Sequence, residues 1–189
     1  RGEPVENFRS SYNLITGSDG IMNLEELNTL THGEASDKFS ICCSASKWVE
    51  QMIGCRPFQN KDKLFELAEK TWFALTRNDW LEAFSHHPKI GDTEALQKKF
   101  QRTQPWTENE QAGVKGVSED ALKDLAAGNR LYKDKFGYIF IVCATGKSAD
   151  EMLALLKERL ENDPEAELLI AAKEQNKITR LRLEKLFNQ

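Results

Sequence analysis

Several things are scarce in this sequence. Its 189 residues include five prolines, four cysteines and three histidines. The cysteines, at 42, 43, 55 and 143, form no Cys-x-x-Cys pair, and adjacent Cys42 and Cys43 cannot readily serve as two ligands of one tetrahedral zinc ion. A small secreted disulfide scaffold would need more cysteines, better spaced. They read as reduced packing thiols of a cytoplasmic protein. Long apolar runs are missing too: "YIFIVCA" falls far short of the ~18–20 residues of a membrane span. No basic stripe is present, and a net charge of −4 with a pI near 5.5 argues against a nucleic-acid partner, whose phosphates require one. Repeats, low-complexity tracts and a signal-peptide core are likewise absent.

What is present, 40% hydrophobic and 30% charged residues, suits one globular domain large enough to enclose a core and a pocket. Residues 1–21 lack periodicity and are dotted with Gly, Ser, Asn and Asp, whereas Met22 opens "MNLEELNTL". The expectation is an expression leader over 1–21 and a folded domain over 22–189.

From Met22 onward the signals are helical. "NKDKLFELAEKTWFAL" places Leu64, Leu67, Trp72 and Leu75 on one apolar face, with Asn60 as N-cap. Asn78 is expected to cap "DWLEAFSH". Ser118 is expected to cap a helix carrying Leu122, Leu125, Tyr132 and Phe136 that stops at Gly137. "SADE" at 148–151 is a capping box, and Pro164 takes the first position of the last helix. The exception is "FGYIFIVCATGKS" at 136–148. A phosphate loop ending in Gly146-Lys147-Ser148 would need glycine at 141, where isoleucine stands. One buried extended segment near 138–144 is the better reading, and its backbone groups, lacking a sheet, are open to a ligand. The predicted architecture is all-α: a single-domain compact bundle of about eight helices.

Three residues could carry chemistry. His87 precedes Pro88, which pushes it out of the α region, so the helix after Asn78 should end at about His86 or His87. It reads either as a helix-ending imidazole or as a general acid/base held at a helix end. His86 points elsewhere, and His32, in a Thr-His-Gly turn, is solvated. Glu110 completes "TENE", either a capping box with Thr107 or part of an anion site at a helix start. Arg182 lies about 20° from Ala171 on the apolar face of the last helix, with Arg180 on the opposite side. A guanidinium there needs a carboxylate or another acceptor, either in an internal salt bridge or from an anionic ligand. Glu110 is the expected neighbour.

"WLEAFSHHPKIGD", "TENEQAG", "FGYIFIVCA" and "KITRLRL", in this order and spacing, closely resemble the 2-oxo-4-hydroxy-4-carboxy-5-ureidoimidazoline (OHCU) decarboxylases. The resemblance covers about residues 22–187. It implies an all-α enzyme of urate degradation that forms (S)-allantoin. Residue by residue, it puts catalytic roles on His87 and Glu110. Substrate binding falls on Pro88, Thr107, Gln111, Phe140, Ile141, Val142 and Arg182, with Thr107 replacing the commoner serine. No cofactor or metal is implied, because the substrate's own C=N bond accepts the electron pair released by carbon dioxide. A homodimer is also implied, with the small-molecule substrate and product as partners and neither nucleic acid nor membrane. A different class of reading is a non-enzymatic helical interaction module.

Overall fold

Capping residues set where the helices begin. A computed structural model of the chain describes residues 22–87 and 119–187. Among the described residues there are eight helices and no strand. They are α1 (Leu24–Thr29), α2 (His32–Cys42), α3 (Ser46–Gly54), α4 (Lys61–Phe73), α5 (Arg77–Ser85), α6 (Glu119–Phe136), α7 (Ala149–Arg159) and α8 (Pro164–Phe187). The all-α expectation is met. None of these helices is long and apolar enough to cross a membrane.

Asn60 caps α4 as expected, accepting from the Lys63 amide at 2.8 Å. At α7 the expected box closes both ways: the Glu151 amide donates to Ser148 Oγ at 3.2 Å, and the Ser148 amide donates to Glu151 Oε2 at 2.7 Å. Pro164 opens α8. The cap of α5 is a correction, since it is Thr76 and not Asn78. Thr76-x-x-Asp79 makes a reciprocal box, with Asp79 Oδ2 accepting from the Thr76 amide at 2.8 Å, and Asn78 is an exposed residue two positions too late. Asparagine and threonine are both good caps, but only threonine here has an acidic partner three residues on. His32 is exposed as expected. It is, however, the first residue of α2 rather than part of a turn, because Thr31 and Glu34 form another such box. The proposed Ser118 cap lies outside the described residues.

The chain divides into two units by internal packing, residues 1–74 with 179–189, and residues 75–178. In the first, α2 buries Ala35, Phe39 and Cys42, α3 buries Trp48, Val49, Met52 and Ile53, and α4 buries Leu64, Ala68 and Trp72. These are the three- and four-residue spacings of one helical face. Phe39 meets the Trp48 ring edge-on at 5.9 Å, and Trp48 Nε1 donates to the Ala68 carbonyl at 3.0 Å, so this buried indole loses no hydrogen bond on burial. Arg56 Nη1 donates to the Leu27 and Leu30 carbonyls at 3.0 and 2.7 Å, closing the end of α1. All four cysteines are free thiols, and Cys42, Cys43 and Cys143 are buried. Burial pushes the Cys42 thiol up to about 12, against the opposing pull of Arg182, which leaves it unreactive at neutral pH.

In the second unit α6 and α7 pack closely. A Cβ added at Gly128 of α6 would lie 2.6 Å from Leu156 Cδ2 of α7, so a larger residue there would have to displace the Leu156 side chain. Helix α6 ends at Gly137, whose φ of 83° lies in the left-handed region and whose amide donates to the Lys133 carbonyl at 2.8 Å. The chain then runs through residues 138–144 without strand pairing, buried except for a partly exposed Ile139. This is the extended segment the sequence predicts.

Candidate active site

Helix α5 stops where the proline rule says it must. Ser85 is its last residue and His86 its C-cap, and the His87 amide donates to the Phe84 carbonyl at 3.2 Å. His86 is exposed and His87 half-buried, so the two adjacent imidazoles do diverge. The His87 ring meets a partner that the sequence reading did not single out: its Nε2 lies 2.5 Å from Oε1 of Gln175 on α8. Gln175 is 1% exposed. Its spacing was a readable signal, since it follows Ala171 by four residues on the buried face of α8.

The extended segment is tied down by side chains in place of neighbouring strands. The Phe140 amide donates to Asn129 Oδ1 at 3.1 Å, the Ile141 carbonyl accepts from Arg159 Nη1 at 2.8 Å, and the Cys143 amide donates to Glu174 Oε2 at 2.8 Å. The expectation that this backbone is open to a ligand therefore needs narrowing. Phe140 and Cys143 have committed amides, whereas among the described residues no acceptor is paired with the amides of Ile141 or Val142. Burial pushes the Glu174 carboxyl upward, but Lys177, 2.5 Å away, and the Cys143 amide outweigh it and hold the group below the usual range. Glu174 and Gln175 are consecutive, so one turn of α8 fixes both the segment and His87. At the other end of the segment Tyr138 packs on Phe84 of α5, ring centroids 5.3 Å apart.

Behind the segment lies a buried ionic cluster that the sequence reading missed. Arg159, 6% exposed, donates from Nε to Glu167 Oε1 at 2.8 Å and from Nη2 to the same oxygen at 2.5 Å; Glu167 is fully buried. The Tyr132 hydroxyl also donates to Glu167 Oε1, and Asn162 Nδ2 donates to Oε2 at 2.7 Å. The guanidinium sits over the Phe140 ring at 4.6 Å. Burial, and then the bond to Glu167, raise the Tyr132 phenol far above the ordinary tyrosine range. Arg159 follows Met152 and Leu156 at helical spacing, so the reasoning that singled out Arg182 applied equally to it.

Arg182, in the first unit, is half-buried as its spacing predicts, but the acceptors shown are not a carboxylate. Its Nη1 donates to the carbonyls of Ile41 and Cys42 at 3.1 and 3.4 Å, at the C-terminus of α2. Those carbonyls have no intrahelical donor and carry the negative end of the helix dipole, which makes them ready acceptors for a cation. Arg180, on the other side, is exposed and pairs with Glu184 at 3.1 Å. Pro88, Thr107, Glu110 and Gln111 lie outside the described residues. Among the described residues no group of three or more His, Cys, Asp or Glu side chains could hold a metal ion.

Comparison with known proteins places this arrangement. Residues 28–184 match the family model of OHCU decarboxylase. The chain is 42% identical over 153 residues to the uric acid degradation bifunctional protein TTL of Arabidopsis thaliana, covering 80% of this chain and 47% of that protein. It thus spans about half the length of that relative. It is 31% identical to the OHCU decarboxylase of Xenopus laevis, over 88% of this chain and 95% of that protein. Among solved structures, an OHCU decarboxylase crystallised in the presence of (S)-allantoin superimposes with a TM-score of 0.65 at 41% identity, covering 80% of this chain and 98% of the other. With the family model spanning most of its length, the chain belongs to the OHCU decarboxylase family.

Proposed function

We propose that this chain catalyses the cofactor-independent decarboxylation of OHCU to (S)-allantoin, a step of urate degradation. The observation that carries the reading is His87, a half-buried imidazole at a helix end with one nitrogen held by a buried amide, at the position where the family resemblance puts an acid/base histidine. The names borne by the relatives point the same way.

The chemistry asks little beyond positioned groups. As the bond to carbon dioxide breaks, its electron pair forms a double bond to the neighbouring ureido-bearing carbon. The former C=N pair moves onto the ring nitrogen, which takes up a proton. Loss of the hydroxyl proton and protonation of the ureido-bearing carbon then convert the enol to allantoin. Delivery to one face yields one enantiomer. We assign these proton transfers to His87 and Glu110. The substrate's polar groups are assigned to the backbone amides of Ile141 and Val142 and to Thr107 and Gln111, beside Pro88. Arg182 keeps its role as the cation that binds the anionic substrate. The proposed assembly is a homodimer, and buried free thiols suit a reducing cytoplasm.

The test generates OHCU in situ from urate and follows allantoin by circular dichroism. Wild-type protein is expected to speed the appearance of optically active product. His87→Asn should fold and lose ~10²–10⁴-fold in rate, while His86→Asn loses far less. Equal losses would remove His87 from the mechanism. No acceleration by the wild type would return the chain to the class of helical interaction modules.

A further inference from the structure

We infer that Gln175 is the positioning residue for His87, fixing which ring nitrogen carries the proton and which way the ring faces. The inference rests on the reading of His87 as the acid/base, and adds to it a residue and a microscopic state. A carboxamide oxygen can only accept, so the nitrogen 2.5 Å from Gln175 Oε1 must bear a hydrogen. That nitrogen is Nε2. The neutral ring therefore carries its proton on Nε2 and its lone pair on Nδ1, the atom that exchanges protons with substrate.

The holder is well built for the task. Gln175 is 1% exposed, which denies its amide the freedom of a surface side chain. Its neighbour Glu174 is anchored to the Cys143 amide at 2.8 Å, so this turn of α8 is tied to the extended segment. The backbone of His87 is held in turn by its bond to the Phe84 carbonyl. An imidazole fixed at both ends cannot turn over without breaking one of these contacts. Unlike a carboxylate partner, the amide orients the ring without adding negative charge beside it.

Nitrogen-15 spectra of histidine-labelled protein test this directly. The chain has three histidines, and His32→Asn and His86→Asn variants identify the His87 signals by difference. Wild-type His87, when neutral, is expected as the Nε2–H tautomer. Gln175→Leu removes the acceptor at similar volume and should lower kcat by about 10²-fold with KM little changed, the loss expected when a reacting group is misplaced. Gln175→Glu keeps an acceptor oxygen and should recover a tenfold or greater part of that loss. An Nδ1–H tautomer in the wild type, or a Gln175→Leu kcat within twofold of wild type, overturns the inference. The spectra need no substrate, so they separate the two ideas. An inactive His87→Asn with an Nδ1–H wild type sinks the positioning role alone. A fully active His87→Asn with an Nε2–H wild type sinks the catalytic reading instead.

Discussion

Replacing Glu167 with glutamine should be among the most damaging isosteric changes in this protein. The substitution alters one atom and no volume, yet it removes the carboxylate charge paired with Arg159 in a cluster where the two side chains are 0% and 7% exposed. Breaking a buried pair from one side costs about 3–5 kcal/mol, because the remaining ion stays desolvated. Glutamine can still accept at one oxygen, but its NH2 end must face either Asn162 Nδ2 or the donors of Arg159 and Tyr132, so a donor meets a donor. For a chain of this length a loss of that size lowers Tm by roughly 6–20 °C. Urea unfolding followed by far-ultraviolet circular dichroism would show a lower midpoint at unchanged m. The double variant Arg159→Met, Glu167→Leu leaves no buried charge and should be more stable than Glu167→Gln alone. A Glu167→Gln cost under about 1 kcal/mol, or a double variant no better than the single, would refute the premise that this cluster is cut off from water.

Two further outcomes follow from the same geometry. Glu174 is held below its reference value of 4.5, so it adds stability that is complete above that pH and is lost as pH falls through the lower folded value; the stability difference between wild type and Glu174→Gln should be flat at neutral pH and close in acid, and a constant difference down to acid unfolding would contradict the assignment. Arg182→Lys should cost about 1–2 kcal/mol by loosening the α2 terminus, and it should abolish the rise in Tm given by saturating allantoin, while Arg180→Lys keeps it; a full ligand-induced shift in Arg182→Lys would make the arginine structural only.

Legibility from sequence divided along physical lines. Several helices and the caps at Asn60 and Ser148 could be read because a cap is a local event, decided within four residues. The cap of α5 was misplaced by two residues because two good capping types stand close together, and only the reciprocal Thr76–Asp79 pair separates them. The extended segment was legible because a β-rich run without partner strands has few other fates. How it is satisfied was not, since Asn129, Arg159 and Glu174 act across 11, 18 and 31 residues of sequence. The same holds for His87, whose pre-proline position is local but whose partner Gln175 lies 88 residues away. Arg182 was correctly placed on the apolar side of α8; its carbonyl acceptors at the end of α2 were not foreseen, because a search for side-chain partners overlooks them.

Without sheet partners, the segment after Gly137 should also exchange its amide hydrogens in a pattern no β-strand would show. In a ladder, neighbouring amides open together when the adjoining strand leaves. Here, among the described residues, the Phe140 amide answers to Asn129 and the Cys143 amide to Glu174. Each has its own opening equilibrium. Protection at Cys143 would weaken as Glu174 takes up its proton, while protection at Phe140, guarded by a neutral amide, would not. The segment can thus yield one peptide group at a time, and a molecule seated on it could reshape a single residue without unfastening the rest.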